Sequence, residues 1–295
     1  MTAVRRRQKY TRLISYLFLI TSSFIMIFPV LYMALAAFTT PDRFMDTLML
    51  PIPNTLNLDI LLVAWYALQR TYLFTLARVG FYEFMTLLVG VLGGYIFSKL
   101  RFRGRNKIFL LLLSGMVMPS IIMIVPMYLM AARIPLAGGN DIWGSGGKGF
   151  IGEWPVLFLF GWVPPFAIFL LKQSLDMLPG EYEDAAKMDG AGILTIIFRV
   201  YLPLLKPPLV ALIITTFLSI WNDYLWPSLT VYGNEKIYPI SFAISWVDNL
   251  RYWGGMMNIP GVMLGYLMAM WPPALVYFIF QRYFVQGMVA SGLKG

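Results

Sequence analysis

The chain contains no cysteine and no histidine. The first absence excludes a disulfide framework, a thiol nucleophile and a Cys-ligated zinc site. The second removes the commonest general base, proton relay and metal ligand. Charge is scarce as well. Only 13% of the 295 residues are Asp, Glu, Lys or Arg, where soluble domains carry roughly 25%. No Gly-x-Gly-x-x-Gly or Walker-type phosphate loop occurs, and Gly138–Gly149 lacks the Gly-Lys-Ser/Thr ending of a nucleotide site. No acid/base constellation converges, so the chain reads as a non-enzyme that binds no cofactor or metal of its own.

What is there is apolar. Hydrophobic residues make up 59% of the sequence, which indicates a polytopic, all-α integral membrane protein. Six stretches approach the roughly 20 residues needed to cross a bilayer: approximately 13–38, 72–97, 108–131, 155–171, 209–229 and 261–283. The fourth is shortest and is expected to bend at Pro164-Pro165. The first exceeds the roughly 7–15 apolar residues of a signal-peptide core and reads as a retained span. No separate soluble domain is evident, so residues 1–295 read as one transmembrane domain.

The net charge of +9 does not indicate nucleic acid, because the basic residues cluster beside the apolar spans. Arg5, Arg6, Arg7, Lys9 and Arg12 precede the first span, and Lys99, Arg101, Arg103, Arg105 and Lys107 lie between the second and third. The positive-inside rule places both groups, and hence both termini, in the cytoplasm. Sixteen of the 23 Lys and Arg residues then fall inside, six outside, and Arg78 within a span. Seven external acids balance the six external bases, so no strong anion funnel is expected. Of the external loops, 135–154 is glycine-rich and is expected to be mobile. The 232–260 loop carries Trp246, Arg251 and Trp253, residue types enriched at binding hot spots, and is a candidate docking surface.

The most informative run lies at 178–207. Leu178-Pro179-Gly180 signals a turn, and acids at Glu181, Glu183 and Asp184 complement a helix N-terminus. Gly190 and Gly192 interrupt that helix. A second helix from Ile193 to Leu202 is expected to end at Pro203, Pro207 and Pro208. Asp184-Ala185-Ala186, three residues, Gly190, nine residues, Val200, Tyr201 and Leu202-Pro203 reproduce the spacing of a known pattern. It resembles the EAA loop of ABC-importer permeases, with Asp for Glu and Val for Ile. The flanking Asp189-Gly190-Ala191 and Pro203-Leu204-Leu205-Lys206-Pro207 look like the carbohydrate-uptake, maltose-permease branch. The likeness extends to Trp221-Asn222-Asp223-Tyr224-Leu225-Trp226-Pro227 and to the run from Gln281 to Gly295.

The resemblance implies a type I ABC importer permease fold with six transmembrane helices. It implies a permease subunit of an ATP-driven importer that moves a sugar or oligosaccharide across the bacterial cytoplasmic (inner) membrane. Arg78 within a span weakly suits an acidic sugar. The implied partners are a second, related permease, two ATPase subunits that use ATP and Mg, and an extracytoplasmic solute-binding protein. The ATPase-coupling residues would be Asp184, Ala185, Ala186, Gly190, Leu202 and Pro203. A glycerol-phosphate importer shares the signature and stays open as an alternative. An ion-coupled secondary transporter is a further one, although no inverted repeat is evident.

Ionisable and polar residues within spans are functional candidates by default. Arg78, Glu83, Asn222 and Asp223 are the candidates for a substrate path. Arg78 and Glu83 point about 140° apart on an ideal helix, so they are not expected to pair with each other. A structural pair between Arg78 and another helix is the competing expectation. The many methionines of the third span are expected to serve adaptable packing.

Overall fold

The computed structural model describes residues 2–47, 50–53, 59–160, 165–246, 252–253 and 256–292, with side chains described at all of these except 2–9, 59, 252–253, 256 and 282–292. Apart from one antiparallel pair of two-residue strands, β1 (Tyr252–Trp253) and β2 (Met256–Met257), the regular structure is helical. Among the described residues, four helical stretches are long and apolar enough to cross a membrane: 10–37, 60–99, 206–230 and 259–281. A fifth candidate is a pair of helices bent by 100°.

The chain forms two compact units. The first holds residues 1–69 and 244–271. Its main element is α1 (Thr2–Ala37), whose most apolar stretch is wholly unburied by the rest of the chain. A bare face of that composition requires lipid or a partner helix around it. After α1 the chain turns into α2 (Pro41–Asp46). The buried Thr39 hydroxyl bonds to the Leu35 and Pro51 carbonyls and fixes that turn. In the same unit Asn258 caps the final helix, its side-chain oxygen accepting from the Gly261 N–H at 2.9 Å.

The second unit holds residues 70–243 and 272–295. Its central element is the greater part of α3 (Asp59–Lys99). This helix packs against α7 (Pro165–Asp176) at Gly90, Gly93 and Gly94. A β-carbon on Gly94 would lie 3.0 Å from the Leu171 side chain and 3.1 Å from the Lys172 backbone nitrogen. Small residues thus let the two backbones approach as membrane helices do. Val91, Tyr95, Ala167, Leu171, Leu175, Ile196, Ile197, Tyr201, Leu205 and Leu212 close the core around this contact.

The expected third span is two helices, α4 (Arg105–Val117) and α5 (Ser120–Ala132). Pro119 removes a helical donor and pushes Met118 into an extended conformation, which breaks the span. The expected fourth span appears as α6 (Val156–Leu159) and α7, with 161–164 outside the described residues. The fifth is α11 (Lys206–Trp221) and α12 (Leu225–Thr230), interrupted at 222–224. The last lies in α14 (Ile259–Gly292), and α13 is the short helix Ile240–Ala243.

Candidate functional site

The 178–207 segment folds as a helix, a turn and a second helix. α8 (Glu181–Met188) ends in a left-handed glycine turn. The Gly190 N–H bonds to the Lys187 carbonyl at 3.0 Å, and the Ala191 N–H to the Ala186 carbonyl at 2.9 Å. That pair of bonds is a Schellman cap, and it needs the positive φ of 75° that Gly190 supplies. The second helix runs through α9 (Ile193–Thr195), a π-helical turn (Ile196–Tyr201) and α10 (Leu202–Leu204). This helix ends at Leu204, one residue past Pro203, and Pro207 and Pro208 open α11. In a first turn the missing proline N–H has no intrahelical partner to lose, so Pro207 and Pro208 start the next helix.

α8 has two faces of opposite character. Asp184 and Ala185 point to the exposed side with Met188, which is 88% exposed. Ala186 packs against the core cluster, and Leu202 does the same from the second helix. Glu183, the residue before Asp184, turns inward and is buried. Its carboxylate accepts from the Tyr201 hydroxyl at 2.9 Å and the Tyr95 hydroxyl at 3.2 Å. It also pairs with Lys187 at 2.9 Å, one helical turn on. Burial pushes the Glu183 pKa up, but the bonds from Lys187 and Tyr201 outweigh it and hold the group below its ordinary value. Burial, followed by the Glu183 carboxylate, drives the Tyr201 hydroxyl well above the usual tyrosine range. Tyr201 is therefore a donor at any ordinary pH.

Two further contacts hold the same end of α3, one to this segment and one to α7. The Lys99 ammonium donates to the Leu178 carbonyl at 3.3 Å and lies over the Tyr201 ring. The Ser98 hydroxyl donates to Asp176 at 2.6 Å, and Lys172 pairs with the same carboxylate. The sequence reading assigned Glu183 to the helix dipole and did not single out Tyr95 or Tyr201. The only local signal was the Glu183–Lys187 spacing of four on the face that carries Ala186.

Of the four candidates within spans, the structure brings two together. Arg78 is almost fully buried and forms an ion pair with Asp223. Its Nε donates to the Leu157 carbonyl at 3.0 Å, and its guanidinium lies over the Tyr82 ring. The Tyr82 hydroxyl donates to the Phe160 carbonyl at 2.6 Å. Asn222 instead bonds back to Leu218 in its own helix. Glu83 stands apart, its two carboxylate oxygens buried without a hydrogen-bond partner among the described residues. Arg78 and Asp223 line a cavity of about 380 Å³ within the second unit.

Trp246 is half-buried, Arg251 lies outside the described residues, and Trp253 is placed only by its backbone in β1. The glycine-rich loop, expected to be mobile, is instead knitted by hydrogen bonds. Asn140 is buried, donates to the Ala132 and Ile134 carbonyls and accepts from the Gly147 N–H. Asp141 accepts from the Trp143 and Ser145 N–H groups. This loop presents Trp143 at 82% exposure.

Residues 86–290 match the family of binding-protein-dependent transport system inner membrane components. The chain belongs to that family. As such it is a permease subunit, not an enzyme. The matched region takes in the α8 turn, the π-helical segment and both halves of the broken 206–230 span. Among its relatives is the arabinooligosaccharides transport system permease protein AraQ of Halalkalibacterium halodurans, 29% identical over 92% of this chain and 93% of that one. The lactose transport system permease protein LacG of Rhizobium radiobacter is 27% identical over 99% of both. The same fold occurs in a chain of a bacterial ABC transporter involved in the import of the acidic polysaccharide alginate. The TM-score there is 0.77 at 20% identity, over 95% of this permease and 98% of that chain.

Proposed function

We propose that this permease is one of two related membrane subunits of an ATP-driven importer for a sugar or oligosaccharide. It crosses the bacterial inner membrane six times with both termini in the cytoplasm. Sugars are the substrates named for the relatives AraQ and LacG, and the alginate importer that shares the fold extends the class to acidic sugars.

The observation that carries the coupling role is the two-faced α8. Asp184 and Ala185 lie on the free side, available to a cleft on an ATPase subunit that binds ATP and Mg. Glu183 anchors the opposite side to Tyr201 and to Tyr95 on α3. A push on α8 therefore reaches a membrane helix through a short, buried set of hydrogen bonds. This is how a rigid lever transmits a rigid-body motion. Gly190, Leu202 and Pro203 shape the lever, and Ala186 seats it on the core. The remaining partner is an extracytoplasmic solute-binding protein, which would meet the side of the membrane that carries Trp246, Arg251 and Trp253.

The test is co-expression with genes for a related permease, an ATPase and a solute-binding protein from the same genome. The complex should purify with a second permease and two ATPase subunits, and its ATP hydrolysis should rise with a sugar-loaded binding protein. Purification as a lone subunit that transports without ATP would refute the reading.

A further inference from the structure

Lys99, Arg101, Arg103, Arg105 and Lys107 occupy alternate positions where α3 ends and α4 begins. No acid occurs in the sequence between Glu83 and Asp141 to offset them. Asp176, which meets the same end of α3 through Ser98, is already paired with Lys172. The positive-inside rule accounts for basic residues beside a span. It does not account for the hollow they border, about 410 Å³ in volume and lined by Arg101, Phe102, Gly104, Arg105, Asn106 and Lys107. That volume falls within the roughly 300–1,000 Å³ of small-molecule sites.

Fixed contacts shape the hollow. Gly104 takes a positive φ of 85° and turns the chain into α4. The Arg105 Nη1 donates to the Ser98 and Leu100 carbonyls, each at 3.3 Å, which ties the start of α4 back to the end of α3. The Phe97 ring meets Phe102 at 6.0 Å and Phe109 at 5.4 Å between centroids. Arg101 and Lys107, by contrast, are exposed and have no hydrogen-bond or ion-pair partner among the described residues. Their charges are free to meet a ligand.

The surface next to the hollow is apolar. Leu111 lies one helical turn past Lys107 on the same face of α4 and is 73% exposed. Ile108 and Leu110 are exposed beside it. A cationic hollow that continues into a bare apolar helix face matches the two parts of a phospholipid, a phosphate and an acyl chain. Free phosphate would use the first part alone, and an acidic protein segment would leave the second uncovered. The unpaired cations favour a headgroup of net negative charge, because a zwitterionic headgroup brings a cation of its own. Basic clusters at the end of a membrane helix attract anionic lipid in this way.

We propose that the α3–α4 turn holds a site for one anionic phospholipid. Arg101, Arg105 and Lys107 hold its phosphate, and an acyl chain lies along Leu111. Such a site requires only that the chain sits in a membrane, whatever solute it carries.

The experiment uses the purified permease complex in nanodiscs of phosphatidylcholine. These are doped with a phosphatidylglycerol that carries a photoactivatable group on its acyl chain. Irradiation and peptide mass spectrometry should place crosslinks on Arg101–Leu112. Unlabelled phosphatidylglycerol should compete for them, while added phosphatidylcholine and inorganic phosphate should not. Arg101→Gln combined with Lys107→Gln should lower this crosslinking about tenfold. Arg101→Lys combined with Lys107→Arg, which keeps both charges, should crosslink like the wild type. Lys9→Gln combined with Arg12→Gln removes the same charge from the other basic cluster and should leave the crosslinking unchanged. Crosslinks spread evenly over the spans of the wild type, or displacement by inorganic phosphate, overturns the site. Equal losses in the two glutamine variants reduce the effect to general surface charge and overturn it as well. Loss of the ATPase subunits from the Arg101→Gln, Lys107→Gln complex with crosslinking intact assigns the cluster to a protein contact and also overturns it.

Discussion

The Tyr201 hydroxyl donates a hydrogen bond of 2.9 Å to the Glu183 carboxylate, joining the two helices of the 178–207 segment. Because the acceptor is ionised, removal of this donor should cost about 1.5–3 kcal/mol. Tyr201→Phe should lower the melting temperature of the purified permease, and Tyr95→Phe, whose bond is longer at 3.2 Å, should lower it less. The Glu183 pKa is depressed on folding, so its contribution is present above its ordinary value of 4.5. That contribution is lost only as pH falls through the lower folded value. The melting difference between wild type and Glu183→Gln should therefore be flat between about pH 6 and 8 and should narrow below about 4.5. A difference that shrinks near neutrality would contradict the assignment.

The Arg78–Asp223 pair makes a second prediction. Asp223→Ala leaves a buried cation without its partner, which should destabilise by about 3–5 kcal/mol. Arg78→Met together with Asp223→Leu should recover most of that loss, since apolar residues of similar size avoid the burial of charge. A double-mutant cycle by thermal unfolding gives the coupling directly, and additive single losses would show that the two side chains do not interact.

Gly190 has open space around the position of a β-carbon, so crowding does not explain the glycine. Its φ of 75° does. Gly190→Ala should cost about 1–2 kcal/mol, while Gly190→Asn should cost less because asparagine tolerates the left-handed region. Thermal unfolding of both variants checks the order, and an equal effect would point to a cause other than backbone conformation.

Ala185 and Ala186 should respond differently to enlargement. Ala185→Trp places the ring on the exposed face, so the permease should fold and lose its ATPase on co-purification. Ala186→Trp forces the ring against the packed core, and overpacking of that kind costs about 1–3 kcal/mol or more. It should lower the stability of the permease itself. Wild-type recovery of the ATPase with Ala185→Trp would remove α8 from the coupling interface.

With no cysteine in the native chain, single-cysteine variants can be labelled without background. Ser145 is exposed on the hydrogen-bonded loop. Ser145→Cys should react with an impermeant thiol reagent on intact spheroplasts. Reaction only after lysis would invert the proposed orientation.

The sequence exposed the helical membrane class and the 178–207 segment for different reasons. Apolar run length marks helices that must satisfy their own backbone, and the Asp184 to Pro203 spacing marks a turn with fixed geometry. It did not expose the burial of Glu183, because Tyr95 lies 88 positions away and nothing local distinguishes Glu183 from Asp184. The partner of Arg78 was equally hidden, at a separation of 145 residues. Charge neutralisation within a membrane predicts that some partner exists but does not name it. The break at Met118–Pro119 was written in the sequence, yet the apolar run across it reads as continuous by hydropathy alone. The glycines of 138–149 suggested mobility because composition does not reveal hydrogen bonds such as those of Asn140 and Asp141.

The π-helical turn at Ile196–Tyr201 sets an angular phase. A π-turn accommodates one residue more than α-helical register allows, and each α-helical residue advances the helix by about 100°. The side chains before and after the turn are thus offset by roughly that angle from an uninterrupted helix. Tyr201 meets Glu183 with this offset in place. Deletion of a single residue between Ile196 and Val200 would restore regular winding and swing the hydroxyl about a quarter-turn away. The number of residues between Gly190 and Leu202 is in this sense a dial setting for the tyrosine.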